Sequence, residues 1–121
     1  YFESIKRNVL SFHHGDCIGA DKDFHDIVKL LKPKIKIVIH PPIDDSKRAF
    51  CRSDFIEFPK DYLKRNRDIV NISDFLIACP AEFKPLNRSG TWSTIRYAIK
   101  KEKDLLIVFP NGTYEEKIKS L

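Results

Sequence analysis

The stretch Asn8–Pro33, "NVLSFHHGDCIGADKDFHDIVKLLKP", reads as a strand, a tight turn and a helix in immediate succession. "NVLSFH" is an apolar run of strand length. "HHGDCIGAD" then packs two glycines, a cysteine and two aspartates into one turn, which interrupts any regular periodicity. Asp21 is a good N-cap, and Phe24, Ile27, Val28 and Leu31 recur at helical spacing until Pro33 ends the pattern.

Working outward, three more apolar runs have the same length: "IKIVIH" (35–40), "DFLIAC" (74–79) and "DLLIVF" (104–109). Short, nearly continuous apolar runs fit strands covered on both faces. Helical patterns lie between them. One starts near Tyr62 and carries Leu63, Arg67 and Val70, with Ile69 beside that face. Another follows Ser89 and carries Trp92, Ile95, Ala98 and Ile99, with Lys100, Lys101 and Lys103 suiting its C-terminus. Strands alternating with helices predict an α/β fold, a Rossmann-like three-layer sandwich around a mostly parallel sheet.

A length of 121 residues suits one domain with one core. Apolar content of 42% and charged content of 32% are ordinary for a globular protein. No window approaches a membrane span and no signal-peptide pattern opens the chain, so no membrane partner is expected. Cys17, Cys51 and Cys79 are odd in number and form no C-x-x-C pair, which points to reduced thiols and a cytoplasmic setting. The net charge of +5 is spread among scattered lysines and acids, and no stripe of basic and aromatic residues suggests nucleic acid.

Two connections are long, Pro41 to about Lys60 and "PAEFKPLNRSG" (80–90). Both leave carboxyl ends of expected strands, where open α/β sheets bind ligands. Within the first, Phe50 and Phe55 are candidates for stacking on a base, with core burial the stronger expectation.

Two helix starts carry the candidate chemistry. In "RSGTWST" (88–94), the first turn of a helix offers free backbone N–H groups and a partial positive charge to an anion. Gly90 lets the backbone come close, Ser89 and Thr91 add hydroxyls, and Arg88 adds charge. Simple helix capping by Ser89 or Thr91 is the plainer alternative. In the "GDCIGAD" turn, Gly15 and Gly19, with Ala20, leave room beside a ligand, while Asp16 and Asp21 suit a ribose hydroxyl or base N–H better than a phosphate. Cys17 is expected to be a small buried thiol. His13, His14, Asp16 and Cys17 are metal-ligand types, but they are crowded, and strand alternation sends the two histidines to opposite faces. No metal site and no cofactor is expected, and His25 and His40 default to structural roles. In "YLKRNRDIV", Arg65 is the natural fork for a phosphate or carboxylate.

Taken in order, "HHGDCIGAD", "HPP" (40–42), "YLKRNRDIV…SDFLIACP" and "RSGTWSTIRYA" resemble the SLOG superfamily. That superfamily joins the Smf/DprA-like domains and the LOG phosphoribohydrolases once called lysine decarboxylases. The resemblance covers nearly the whole chain and implies a nucleotide or nucleotide-derived ligand. In the LOG branch a G-T-x-x-E turn carries phosphate binding and a catalytic glutamate. Gly90 and Thr91 match that pattern, and Thr94 stands where the glutamate would be. Arg65 matches the arginine of the branch's R-K pair, and Asn66 replaces the lysine. Relatives usually open with a further strand and a small G-[ST]-R turn. "YFESIKRN" (1–8) looks like the helix after that strand, so the expected sandwich lacks its usual first strand, through truncation or family variation.

Three functions follow from the resemblance. A binding module would hold its ligand with Gly15, Asp16, Gly19, Ala20, Arg65, Asn66, Ser89, Gly90, Thr91 and Thr94. A nucleoside 5′-monophosphate N-glycosidase would use Arg65 with Asp16 or Asp21 as the carboxylate that steadies an oxocarbenium-like transition state. A scaffold would keep only a vestigial pocket. Relatives often associate through helices, so the resemblance also allows a homodimer.

Overall fold

Apolar runs bounded by turn residues become strands, and amphipathic stretches become helices that cover them. In the computed structural model, which describes residues 11–81 and 89–118, these elements fall into two compact units divided between Asp61 and Tyr62. The class is α/β, as expected. The described strands form two three-stranded sheets, one in each unit, where the sequence predicts one sheet and one core.

The first unit holds β1 (Ser11–His14), α1 (Ala20–Leu31), β2 (Lys36–Ile39) and β3 (Phe55–Ile56) in a parallel sheet of order β1-β2-β3. Phe12 pairs with Ile37 and His14 with Ile39. Val28 of α1 closes over Ile35, Ile37 and Ile39, with Phe12 at the margin, so β2 forms the floor of this core. α1 ends at Leu31, and the Lys32 N–H bonds back to the Val28 carbonyl. Pro33 explains the stop, since the residue before a proline avoids helical geometry.

The second unit holds α2 (Tyr62–Ile72), β4 (Phe75–Ala78), α3 (Gly90–Lys100), β5 (Asp104–Val108) and β6 (Tyr114–Lys117). β4 and β5 are parallel, and β6 returns antiparallel beside β5. Trp92 and Ile95 of α3 pack on Ala78, Leu105 and Ile107. α2 packs on α3, tied by the Tyr97 hydroxyl to Asn71 Oδ1 at 2.9 Å.

Several expectations change. The helix after the glycine turn starts at Ala20, with Gly19 at the cap position, so Asp21 lies inside the first turn. α2 buries Arg65, Ile69 and Val70, and Leu63 is exposed. The buried stripe is thus turned from Leu63–Arg67 toward Arg65 and Ile69, with the Arg65 guanidinium over the Tyr62 ring. Phe50 and Phe55 are 60% and 54% exposed, so neither is core. Each carries a cation over its ring instead, Arg48 on Phe50 and Lys36 on Phe55. The 41–60 connection contains a 3₁₀ turn (Asp45–Lys47) and β3, and is only partly irregular. Among the described residues no helix is long and apolar enough to cross a membrane. The reading of "YFESIKRN", the start of "NVLSFH" and Arg88 lie outside the described residues.

Candidate functional site

The turn after β1 is organised around Asp16. Its carboxylate is fully buried. Oδ2 accepts from Arg48 Nε at 2.7 Å and Oδ1 from the Cys51 N–H at 2.8 Å. Its backbone joins in, since the Asp16 carbonyl accepts from the Ala49 N–H at 2.7 Å. One aspartate therefore fastens the β1–α1 turn to residues 48–51, and that role fills the carboxylate that the sequence offered to a ribose. Burial pushes the Asp16 carboxyl up, but the Cys51 N–H, the Arg48 guanidinium and the Cys51 thiol outweigh it and hold it below the ordinary value. The same contact, added to burial, pushes the Cys51 thiol up to about 11, which keeps it protonated.

Asp21 Oδ2 accepts from the Cys17 N–H at 3.1 Å, so it closes the turn from within the helix. Cys17 is half-buried, and its thiol lies 3.7 Å from the Gly15 carbonyl. Gly19 has φ of +105°, a conformation costly to any residue with a Cβ, and both it and Ala20 are exposed. Gly15 is buried beneath them.

Both strand histidines find histidine partners, on opposite faces as alternation requires. His13 Nδ1 lies 2.9 Å from His40 Nε2, and Ser11 Oγ lies 3.2 Å from His13 Nε2. His14 Nε2 lies 2.9 Å from His25 Nδ1, with the two rings edge to face. The Asp16 N–H donates to His14 Nδ1 at 2.9 Å. A backbone N–H can only donate, so His14 Nδ1 holds the lone pair and Nε2 the proton, which it gives to His25 Nδ1. Both rings are therefore neutral. Burial pulls the His14 pKa down to about 4, against the opposing pull of Asp21. It lowers His25 too. Cys51 joins this pair: one donor atom each from His14, His25 and Cys51 lie within 4.8 Å of one another. The sequence showed one usable cue, since His25 sits three residues before Val28 on the apolar face of α1. Cys51, 26 positions further on, gave none.

In the second unit, Ser89 caps α3 by accepting the Trp92 N–H on its hydroxyl at 3.2 Å. The Thr94 hydroxyl donates back to the Gly90 carbonyl at 2.9 Å. A Cβ on Gly90 would fall 2.3 Å from Tyr62 Cε1, so the ring of Tyr62 lies directly against this glycine. Arg65, 3% exposed, stacks its guanidinium 4.9 Å from the same ring, and its Nε donates to Asn66 Oδ1 at 2.8 Å. The structure thus brings Arg65, Asn66, Ser89, Gly90, Thr91 and Thr94 to the start of α3, with Tyr62 between the arginine and the glycine. Sequence reasoning missed Tyr62, which looked like a helix end. It read Trp92 only as one of the helically spaced residues after Ser89. The indole is buried beside Ala78, Ile107 and Phe109, at the carboxyl ends of β4 and β5, and its Nε1–H has no partner among the described residues.

The Tyr62 contact makes a sharp expectation. Gly90→Ala should be neutral to destabilising with Tyr62 present, and stabilising by about 0.5–1 kcal/mol in a Tyr62→Ala background, where only the helix preference for alanine remains. A urea double-mutant cycle reads the difference, and additive effects would show that the ring does not rest on Gly90.

No family model, no curated protein and no solved structure matches the chain.

Proposed function

We propose that the chain is a Rossmann-like three-layer sandwich of the SLOG kind that binds a nucleotide or a nucleotide-derived small molecule at the carboxyl ends of β4 and β5. The observation that carries the reading is the buried Trp92 indole N–H, which lacks a partner among the described residues. A buried donor left unpaired costs about 1–3 kcal/mol, and a ligand oxygen would recover much of that. The first turn of α3 supplies backbone N–H groups at Gly90 and Thr91 for a phosphate, and Arg65 supplies a forked cation. The Tyr62 ring, half-exposed against Gly90, is the group that moves aside or stacks when the anion arrives.

Hydrolysis of the N-glycosidic bond is less well supported. The Thr94 hydroxyl is bonded to the helix backbone, and the Asp16 carboxylate is enclosed by Arg48 and Cys51. Neither is offered as a general acid or base.

Calorimetry with adenosine, uridine, cytidine and guanosine 5′-monophosphates, with the parent nucleosides as controls, tests the proposal. At least one monophosphate should bind saturably and more tightly than its nucleoside. Trp92→Phe should weaken that binding about tenfold by removing the donor, and the smaller ring should also lower folding stability, which urea denaturation without ligand reads separately. Arg65→Gln should weaken it further. Chromatography of the same mixtures should show no free base. Base release abolished by Arg65→Gln would make the protein an N-glycosidase, and absence of binding to every nucleotide would overturn the reading.

A further inference from the structure

We propose that His14, His25 and Cys51 bind one divalent transition-metal ion of the zinc or cobalt kind. Three separate segments deliver the donors: the end of β1, the buried face of α1, and the chain after the 3₁₀ turn. Their donor atoms already lie within 4.8 Å of one another, and the two ring nitrogens are 2.9 Å apart. Donors round a tetrahedral zinc stand roughly 3.3–3.6 Å apart, so the imidazoles need to part by only about half an ångström. Two imidazoles and a thiolate are a borderline-to-soft set, which selects zinc-like ions over calcium or magnesium. Three protein ligands leave a fourth position for water.

The proton account closes with one proton passed to solvent. In the metal-free protein the proton on His14 Nε2 lies between the two rings, where the ion would sit. On metal binding the Nε2 lone pair takes the metal, the ring proton moves to Nδ1, and the Cys51 thiol proton leaves to solvent. One proton is released for each ion bound. The ion and the Cys51 thiolate sum to one positive charge, and the Asp16–Arg48 pair beside Cys51 is itself neutral, so the occupied site keeps one net positive charge.

A His14 ring protonated at Nδ1 can no longer accept the Asp16 N–H. The turn holds the remedy. Asp16 has φ of +57°, a left-handed conformation unfavourable for a residue with a Cβ. Rotating the Gly15–Asp16 peptide plane by about half a turn would carry Asp16 to φ near −120°, out of the left-handed region, with glycine absorbing the change on the other side. It would also put the Gly15 carbonyl where the Asp16 N–H stood, ready to accept from His14 Nδ1. A ligating histidine that gives its second ring N–H to a carbonyl is the usual outer-shell arrangement of a metal site. The peptide is therefore a two-position element, and the ion selects between the positions.

Titration of the purified full chain with Co²⁺ alone tests the site. A thiolate-to-cobalt charge-transfer band should grow and saturate at one equivalent, and Zn²⁺ should abolish it. Cys51→Ser should remove the band, while Cys17→Ser and Cys79→Ser should leave it. His25→Gln should weaken binding at least tenfold. A second measurement needs no variant. In ¹⁵N-labelled wild-type protein, the His14 ring proton should sit on Nε2 without metal and on Nδ1 with Zn²⁺ or Cd²⁺ bound. The proposal fails if no charge-transfer band forms, if the band follows Cys17 or Cys79, or if the ring proton stays on Nε2.

Discussion

Replacing Asp16 by alanine is expected to destabilise the protein by about 3–4 kcal/mol, a large part of the stability of an ordinary domain. The carboxylate is buried, and its loss strips Arg48 of its close partner and leaves the Cys51 N–H without an acceptor. Asp45 cannot compensate, since it lies 3.9 Å from the Arg48 guanidinium and is largely exposed. Breaking a buried pair from one side costs more than the pair contributes, because the remaining charge stays buried. The backbone refines the prediction. At φ of +57°, alanine keeps the strain and glycine removes it, so Asp16→Gly should be less harmful than Asp16→Ala by about 1 kcal/mol. Urea denaturation of the three proteins separates the side-chain and backbone contributions. If Asp16→Ala unfolds at the wild-type urea concentration, the clamp between the β1–α1 turn and residues 48–51 contributes nothing.

Acid should destabilise the protein before any ordinary carboxylate titrates. His14 is neutral when folded, with its pKa pulled from 6.5 to about 4 by burial. The unfolded chain therefore binds the extra proton first. Stability is full above pH 6.5 and falls as pH drops toward 4, by about 3 kcal/mol for this residue. Burial lowers His13 and His25 as well, so both act in the same direction. Asp16 acts below this window: its pKa is depressed on folding, and its contribution is lost only as pH falls under the ordinary carboxylate range. His14→Asn keeps an oxygen for the Asp16 N–H but cannot titrate. Its stability should be lower at pH 7, with a flatter decline between pH 6.5 and 4. An unchanged slope in urea midpoints across that range would remove His14 as the source.

The main elements were legible because their cues are local. The runs at 35–40, 74–79 and 104–109 became β2, β4 and β5, and the helical spacings became α1, α2 and α3. β3 was not legible. It has two residues, both side chains are exposed, and its pairing with Val38 and Ile39 gives it no apolar alternation of its own. β6 was missed for another reason. "YEEK" has no buried face, but the cue lay just before it: Asn111-Gly112 is a strong hairpin signal. Gly112 has φ of +86°, and the Thr113 N–H bonds to Asn111 Oδ1 at 3.0 Å. The site divided in the same way. The glycine turn and the α3 cap could be read from neighbours in the chain. The partners that give Asp16 and His14 their roles stand 32, 35 and 11 positions away, and only folding brings them together.

Among the described residues β6 is the outer strand of its sheet, with four exposed residues, Tyr114, Glu115, Glu116 and Lys117. A terminal strand presents a row of backbone groups on which another chain can add a strand. Glu115 and Glu116 place two adjacent negative charges along that row, one on each face of the pleat. A second copy approaching edge to edge would bring its own pair against them. This border is thus set by repulsion against self-templated growth, and the same lack of aliphatic side chains is what hid it from the sequence.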